Sequence, residues 1–428
     1  MATVLAPDGV PCDSLVVMRR LPDERRLARC VVEGEDVGPA LTDLARQLSA
    51  LHRRSPAPAS LRDVASAAGM RTLWDVGLDA VLAHEDLVPA RTTERTQLLA
   101  HQYLDGRADL LASRVEEGRV VDGHGDLLAD DVFLLDEGPR ALDCLEFDRR
   151  LRVGDGVADA AFLAMDLERL GRPDLGRWFL DAYRAAAEDE APLSLEHHYV
   201  AYRAHVRSKV ACLRYEQSGD PADARAAGEL AELSLAHLER GQVRLVLVGG
   251  APGSGKSTLA RALAHELGVG LLSSDVLRDE LQPGHDGPAG PHAGRYAPSA
   301  RQAVYDELMR RVALRLAQGE SLVVDATFTH ERWRAAVRDV AAHAAVPVVE
   351  LQCVVPDDVA ATRLDRRKDD PSEASAAVRT ALLADTDPWP EATVVDTSSS
   401  PDDAVREALQ RHETTLSAAL WPCAVEGS

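Results

Sequence analysis

The chain has 428 residues and a mass of 46.1 kDa, and at roughly 100–200 residues per domain two or three domains are expected. Hydrophobic residues make up 46%, enough for large cores, which excludes a wholly disordered chain. The net charge of −22 argues against a large nucleic-acid partner, and the sequence shows neither a secretory signal nor an apolar run of about 18 residues, so a cytoplasmic protein without a membrane span is expected.

In chain order, Ser14 to Leu21 reads as a strand. Helical spacing follows over Val37 to His52, where Leu41, Leu44, Leu48 and Leu51 share a face, and again over 70–85 and 91–117. From Gly118 to Phe147 apolar strands alternate with a polar loop. Helices return from Val157 to about Ala187, from Leu195 to Gln217 and from Pro221 to Arg240. The run 202–216 carries Arg203, Arg207 and Lys209 on one of them. Near Gly241 the texture changes to alternating strands and helices up to about residue 420, the pattern of a parallel sheet covered on both faces. A boundary is expected at 240/241. The six cysteines are scattered without a CxxC pair, which supports neither a zinc site nor a disulfide framework. Only Lys209, Lys256 and Lys368 are lysines, so a lysine inside a motif stands out.

The first motif is His124-Gly125-Asp126, with Asp131 five residues and Asp143 seventeen residues beyond Asp126. It resembles the catalytic loop of aminoglycoside phosphotransferases and protein-kinase-like enzymes, and the resemblance covers roughly residues 12–215. It implies Asp126 as base, Asp131 and Asp143 as Mg²⁺ ligands with Glu146 in reserve, and Asp159 as support for the loop. Two departures stand out. Asp131 replaces the family's Asn, and no lysine precedes Lys209, where the family has a nucleotide-clamping lysine. Residues 14–21 resemble the family's hinge, so most of the small lobe is expected to be absent. Either the true start lies upstream, or this half has lost ATP chemistry.

The second motif, Gly250-Ala251-Pro252-Gly253-Ser254-Gly255-Lys256-Ser257, fits GxxxxGK[ST] between an apolar strand (Leu245 to Val248) and a helix (Thr258 to Leu267). Its glycines let backbone N–H groups converge on phosphate, and the helix adds its positive end. Lys256 supplies a cation for the outer phosphates, and Ser257 a hydroxyl for Mg²⁺. Thr258 continues the cradle. Asp325, ending the strand Ser321–Phe328, is the second acid for Mg²⁺. Ala326 follows it, where hydrolytic motors often place Glu, which favours transfer to a hydroxyl over hydrolysis. Asp275, expected at a strand end, is placed to take the acceptor's proton, with Arg278 one helical turn on. Arg363, Arg366 and Arg367, beside Lys368, are expected to close over the developing charge. The loop 284–296 borders the acceptor pocket; its His285 and His292 are too few for a metal site.

Residues 243 to about 415 resemble the small P-loop kinases, the group of polynucleotide kinases, gluconate-type sugar kinases and zeta-toxin-like kinases. Asp275-x-x-Arg278 looks like the acceptor-activating motif of the polynucleotide kinase branch. The pairing of the two halves resembles bacterial proteins described as bifunctional aminoglycoside phosphotransferase/ATP-binding proteins. The resemblance implies ATP and Mg²⁺ as cofactors and a small-molecule or nucleotide hydroxyl as acceptor. Two rivals stay open: a phosphotransferase working through Asp126, and a nucleotide-sensing switch without turnover.

Overall fold

The computed structural model describes residues 2–5, 11–15, 20–282, 297–366 and 376–411. Strands β1 (Ala2–Leu5) and β2 (Pro11–Leu15) form an antiparallel hairpin. The strand expected over Ser14 to Leu21 thus begins earlier and ends at Leu15; residues 16–19 lie outside the described residues, and 20–22 are not strand. Helices α1 (Leu27–Val32), α2 (Gly38–Arg54), α3 (Ala67–Leu82), α4 (Ala90–Gly106) and α5 (Ala108–Glu116) follow. The single helix read over 91–117 is therefore two. Its break has a packing cause: a Cβ on Gly106 would lie 1.9 Å from the carbonyl oxygen of Ala344, so the chain turns where it meets another element.

Next come β3 (Val120–Asp122), β4 (Val132–Leu135), β5 (Gly138–Ala141) and β6 (Val153–Asp155), paired antiparallel as β3 with β6 and β4 with β5. Helices α6 (Gly156–Arg169), α7 (Pro173–Ala187), α8 (Leu193–Ser218) and α9 (Pro221–Arg240) complete a mostly helical N-terminal region. Asp155 caps α6 through the amide of Val157, and Asp220 caps α9 through that of Ala222.

The rest alternates strand and helix: β7 (Leu245–Gly249), α10 (Lys256–Leu267), β8 (Gly270–Ser273), α11 (Ser274–Leu281), α12 (Pro298–Ala317), β9 (Leu322–Asp325), α13 (Glu331–His343), β10 (Val348–Val354), α14 (Asp357–Arg366), α15 (Ala376–Ala384), β11 (Thr393–Asp396) and α16 (Pro401–Arg411). The five strands form one parallel sheet in the order β11-β10-β7-β9-β8. This is the expected α/β architecture: a P-loop sheet preceded by helices.

Period-2 alternation divides the sheet's side chains between two cores. Val246, Val248, Val323 and Leu351 pack with Leu259 and Leu263 of α10 and Ala408 of α16. Leu245, Leu247, Leu322 and Val324 pack with α12 and α13, and that core continues without a gap into α4, α5, α8 and α9. Only Gly241–Arg244 connect α9 to β7, and Gly241, Val243 and Arg244 are buried. Among the described residues, no helix is long and apolar enough to cross a membrane.

Candidate active site

The chain reverses its winding direction around β7, and in open parallel sheets the crevice at the carboxyl ends of strands about such a point receives ligands. The glycine-rich loop occupies that place. Gly253 (φ +80°) and Gly255 (φ +83°) adopt left-handed backbone that a side chain would strain, and Gly255 is the residue from which α10 starts. Arg379, almost fully buried, donates to the carbonyl of Pro252 at 2.9 Å and pairs with Asp357 at 3.0 Å, bracing the loop from outside.

Register brings the acids to this loop. Asp325 aligns with Val248 on one side and Ser273 on the other, so three strand ends share one edge. Lys256 Nζ lies 3.3 Å from Ser257 Oγ, 3.6 Å from Asp325 Oδ1 and 4.0 Å from Asp275 Oδ2. Ser273 Oγ donates to Asp325 Oδ2 at 3.3 Å and accepts from the amide of Asp275 at 3.3 Å. Asp275 lies in the first turn of α11 and not at a strand end: Ser273 is the helix cap, so the chain becomes helical one residue before Asp275. Arg278, one turn on, pairs with Asp275 Oδ1. The fold thus brings Asp275 and Arg278 together as an ion pair.

The buried Asp325 carboxylate, whose Oδ1 makes no hydrogen bond among the described residues, and the Ser257 hydroxyl both lie within 4 Å of Lys256 Nζ. These are hard oxygen donors, and they fit a magnesium ion. Among the described residues no three His, Cys, Asp or Glu side chains converge on one point.

Arg363 stands against the glycine-rich loop, its Nη1 3.1 Å from where a Cβ on Gly255 would lie. Its Nη2 donates to the carbonyl of Thr397 at 2.7 Å, and among the described residues its buried Nη1 has no hydrogen-bond partner. It lines a cavity of about 330 Å³ with Gly255, Thr258, Thr397, Ser399 and Ser400, flanking the first turn of α10. The side chain of Arg366, and Arg367 and Lys368 entirely, lie outside the described residues, as does the loop 284–296.

Several residues around the site were not singled out from sequence. Tyr305 OH accepts from the amide of Phe328 at 3.1 Å and stands 3.3 Å from Thr327 Oγ1, while the amide of Gly250 donates to the carbonyl of Thr327 at 3.3 Å. Phe328 is held at φ +48°, and fully buried Arg334 donates to its carbonyl at 2.9 Å. The serine cluster after β11 was a usable signal for Thr397; nothing local marks Tyr305 or Arg379.

In the N-terminal region, buried Asp159 accepts from the amides of His124 and Gly125 at 2.8 and 2.7 Å and from His52 Nε2 at 2.9 Å. Burial opposes its ionisation, but His52 and the two amides outweigh burial and hold the carboxyl far below its usual range. Asp126 pairs with Arg207 at 3.2 Å. Burial, then the charges of Asp143 and Asp126, push the Asp131 carboxyl upward. Asp143 is not on a strand, nor is Glu146: both follow β5 in irregular chain, and Asp143 has φ +61°.

The AAA domain family model matches residues 245–388. Over 408 residues the chain is 39% identical to the uncharacterized protein Rv2004c of Mycobacterium tuberculosis, an alignment covering 94% of this chain and 81% of that protein. The chain belongs to the Rv2004c family. The uncharacterized protein Mb2027c of Mycobacterium bovis matches with the same identity and coverage. Among solved structures, a sugar kinase from a Janibacter species is 21% identical and covers 42% of this chain and 99% of its own, with a TM-score of 0.34. A gluconokinase from Sinorhizobium meliloti is 19% identical, covers 41% and 94%, and has a TM-score of 0.32. Within the Rv2004c family, this chain's AAA match begins at the first residue of β7 and stops short of β11.

Proposed function

We propose that the protein is an ATP-dependent phosphotransferase whose chemistry lies in residues 241–428, with residues 1–240 a kinase-like unit that does not catalyse. The observation that carries this is the meeting of Lys256, Ser257, Asp275 and Asp325 at one sheet edge, beside a glycine loop with left-handed backbone. Loop amides and the start of α10 receive the phosphates, and Lys256 offsets their charge. Ser257 and Asp325 would hold Mg²⁺, which neutralises charge on the outer phosphates when bound. Asp275 accepts the proton of an acceptor hydroxyl. The acceptor oxygen bonds to the γ-phosphorus as the bond to the bridging oxygen breaks, and ADP leaves. Arg278 orients Asp275, and the cavity beside Arg363 receives the nucleoside.

The N-terminal assignment is supported by the Arg207 ion pair, which occupies the Asp126 carboxylate, while the Asp159-held loop favours a kinase-like ancestry. The acceptor is a small molecule or nucleotide with a free hydroxyl. The test is acceptor-dependent ATP consumption across a panel of sugars, nucleosides and aminoglycosides. Lys256→Ala abolishes turnover. Asp275→Asn retains nucleotide binding and lowers transfer about 100-fold or more. Asp126→Ala leaves the rate unchanged. Loss of activity with Asp126→Ala and its survival in Lys256→Ala would move the chemistry to the other region.

A further inference from the structure

Two carbonyls of the glycine-rich loop are held by side chains that lie far along the sequence. Arg379 of α15, 8% exposed, donates from Nη1 to the carbonyl of Pro252 at 2.9 Å. Its Nη2 is anchored on Asp357, in the first turn of α14, at 3.0 Å. Thr397, directly after β11 and 6% exposed, donates from Oγ1 to the carbonyl of Ser254 and shares that hydrogen with the carbonyl of Val354 at 3.1 Å. The Thr397 amide donates to the same Val354 carbonyl at 3.0 Å, which fixes it to the end of β10.

A trans peptide unit is planar, and its C=O and N–H point in opposite directions. Holding the Pro252 carbonyl toward Arg379 therefore turns the N–H of Gly253 away from Arg379. Holding the Ser254 carbonyl toward Thr397 turns the N–H of Gly255 away from Thr397. Among the described residues neither glycine amide has an acceptor, whereas the amide between them, that of Ser254, donates within the loop to the carbonyl of Ala251 at 3.1 Å. Gly253 and Gly255 are also the two left-handed positions that follow the held carbonyls. The same late segment of chain walls them in: a Cβ on Gly253 would lie 3.0 Å from the carbonyl oxygen of Ala360, and one on Gly255 3.2 Å from Thr397 Oγ1.

We infer that Arg379 and Thr397 are positioning residues of the phosphate cradle. By gripping two carbonyls from outside, they present the amides of Gly253 and Gly255 to a polyphosphate chain. Donors fixed in advance bind an anion without reorganisation. Released, the two peptide units are free to turn, because glycine accepts either hand of backbone, and a turned unit offers the anion a carbonyl oxygen instead of an N–H. The effect is on phosphate and reaches it through the backbone. The inference rests on the phosphotransfer reading in one respect, that this loop receives phosphate; it needs neither Asp275 nor any particular acceptor.

The test titrates the full chain with a fluorescent ADP analogue in Mg²⁺ and displaces it with inorganic pyrophosphate. Thr397→Val removes the hydroxyl but keeps the side chain's shape and the backbone carbonyl that Arg363 uses. It should weaken pyrophosphate and the ADP analogue together by about 10-fold, and Thr397→Ser, which restores the donor, should bring both back to within about 2-fold of the unaltered chain. Arg379→Lys keeps the charge and loses the fork that bridges Pro252 and Asp357, and should weaken both ligands in the same way. If Arg379→Lys fails to fold, the two Thr397 variants decide. Unchanged affinity for pyrophosphate in Thr397→Val overturns the proposal, whether or not the ADP analogue weakens, and so does a Thr397→Ser protein as weak as Thr397→Val. Failure of the phosphotransfer reading looks different: Lys256→Ala would then bind both ligands as the unaltered chain does, and phosphate, with this proposal, would leave the loop.

Discussion

The Arg363 guanidinium reaches the glycine-rich loop from α14, its Nη1 3.1 Å from where a Cβ on Gly255 would lie. Its motif context suggests a cation closing over the developing charge; its guanidinium is fastened to Thr397 at 2.7 Å and lines the cavity beside Gly255. A charge-assisted hydrogen bond to a ligand contributes about 1.5–3 kcal/mol. Arg363→Ala therefore weakens nucleotide binding by roughly 10- to 100-fold, read by titration with a fluorescent nucleotide, and leaves the rate at saturating ATP nearly unchanged; a fall confined to that saturated rate would return Arg363 to the phosphate. A second single-residue effect is pH-dependent. Burial pushes the Glu196 carboxyl up to about 7, despite Arg184 at 2.8 Å. The folded state prefers the protonated form, so this contribution is fully present below the ordinary carboxyl range and is lost as pH rises through 7. Stability should fall by about 3 kcal/mol between pH 5 and 8 on this account. Glu196→Gln flattens that slope in denaturant titrations at the two pH values, and an unchanged slope would show Glu196 to be ionised throughout.

The elements carry the acids to the site through strand register and one helix cap. Ser273 ends β8, caps α11 and bonds Asp325, so a single hydroxyl joins two strand ends to the helix that bears Asp275. Ser273→Ala removes about 1 kcal/mol of capping, frees the Asp325 carboxylate and loosens the turn that carries Asp275; the turnover number should drop by about 10-fold with little change in KM for ATP, in steady-state kinetics. An unaffected turnover number would reduce Ser273 to a cap. This arrangement was partly legible beforehand. The runs before Gly250 and Asp325 are short, apolar and bounded by polar residues, so both strands and their carboxyl-end loops could be placed. So could α9, whose Asp220-Pro221 start and Gly241 stop are strong local signals. Asp275 was displaced by one element because Ser273 and Ser274 serve equally as strand end or helix cap in a linear reading. Residues 142–147 looked like a strand through their alternation alone, yet Asp143 sits at φ +61° and the chain there pairs with no neighbour strand. Tyr305 and Arg379 reach the site through tertiary packing, for which the linear sequence carries no pattern.

At the scale of the whole molecule, the change of texture at 240/241 divides the sequence without dividing the core. Leu245, Leu247, Leu322 and Val324 belong to the same apolar cluster as Leu104, Leu195 and Leu238. Each fully buried aliphatic side chain contributes about 1.5–3 kcal/mol, so separating the regions would expose many of them at once. The connector Gly241–Arg244 has no slack, since a Cβ on Gly241 would lie 2.5 Å from that of His197. Arg107, Gln102 and Ser194 meanwhile satisfy carbonyls at the ends of α12 and α13 that would otherwise be left bare. Two functional units on one core should unfold together, and a ligand of either should stabilise both. Nucleotide at 100 times its Kd adds about 2.7 kcal/mol to a cooperative unit. Amide exchange that proceeds by global unfolding should therefore slow by about 100-fold in α6 and α8, far from the glycine loop, as much as in β7 and β9. Measured by hydrogen exchange on the full chain with and without ATP, slowing restricted to residues 245–411 would mean that the P-loop region opens on its own and that the shared core does not couple the two.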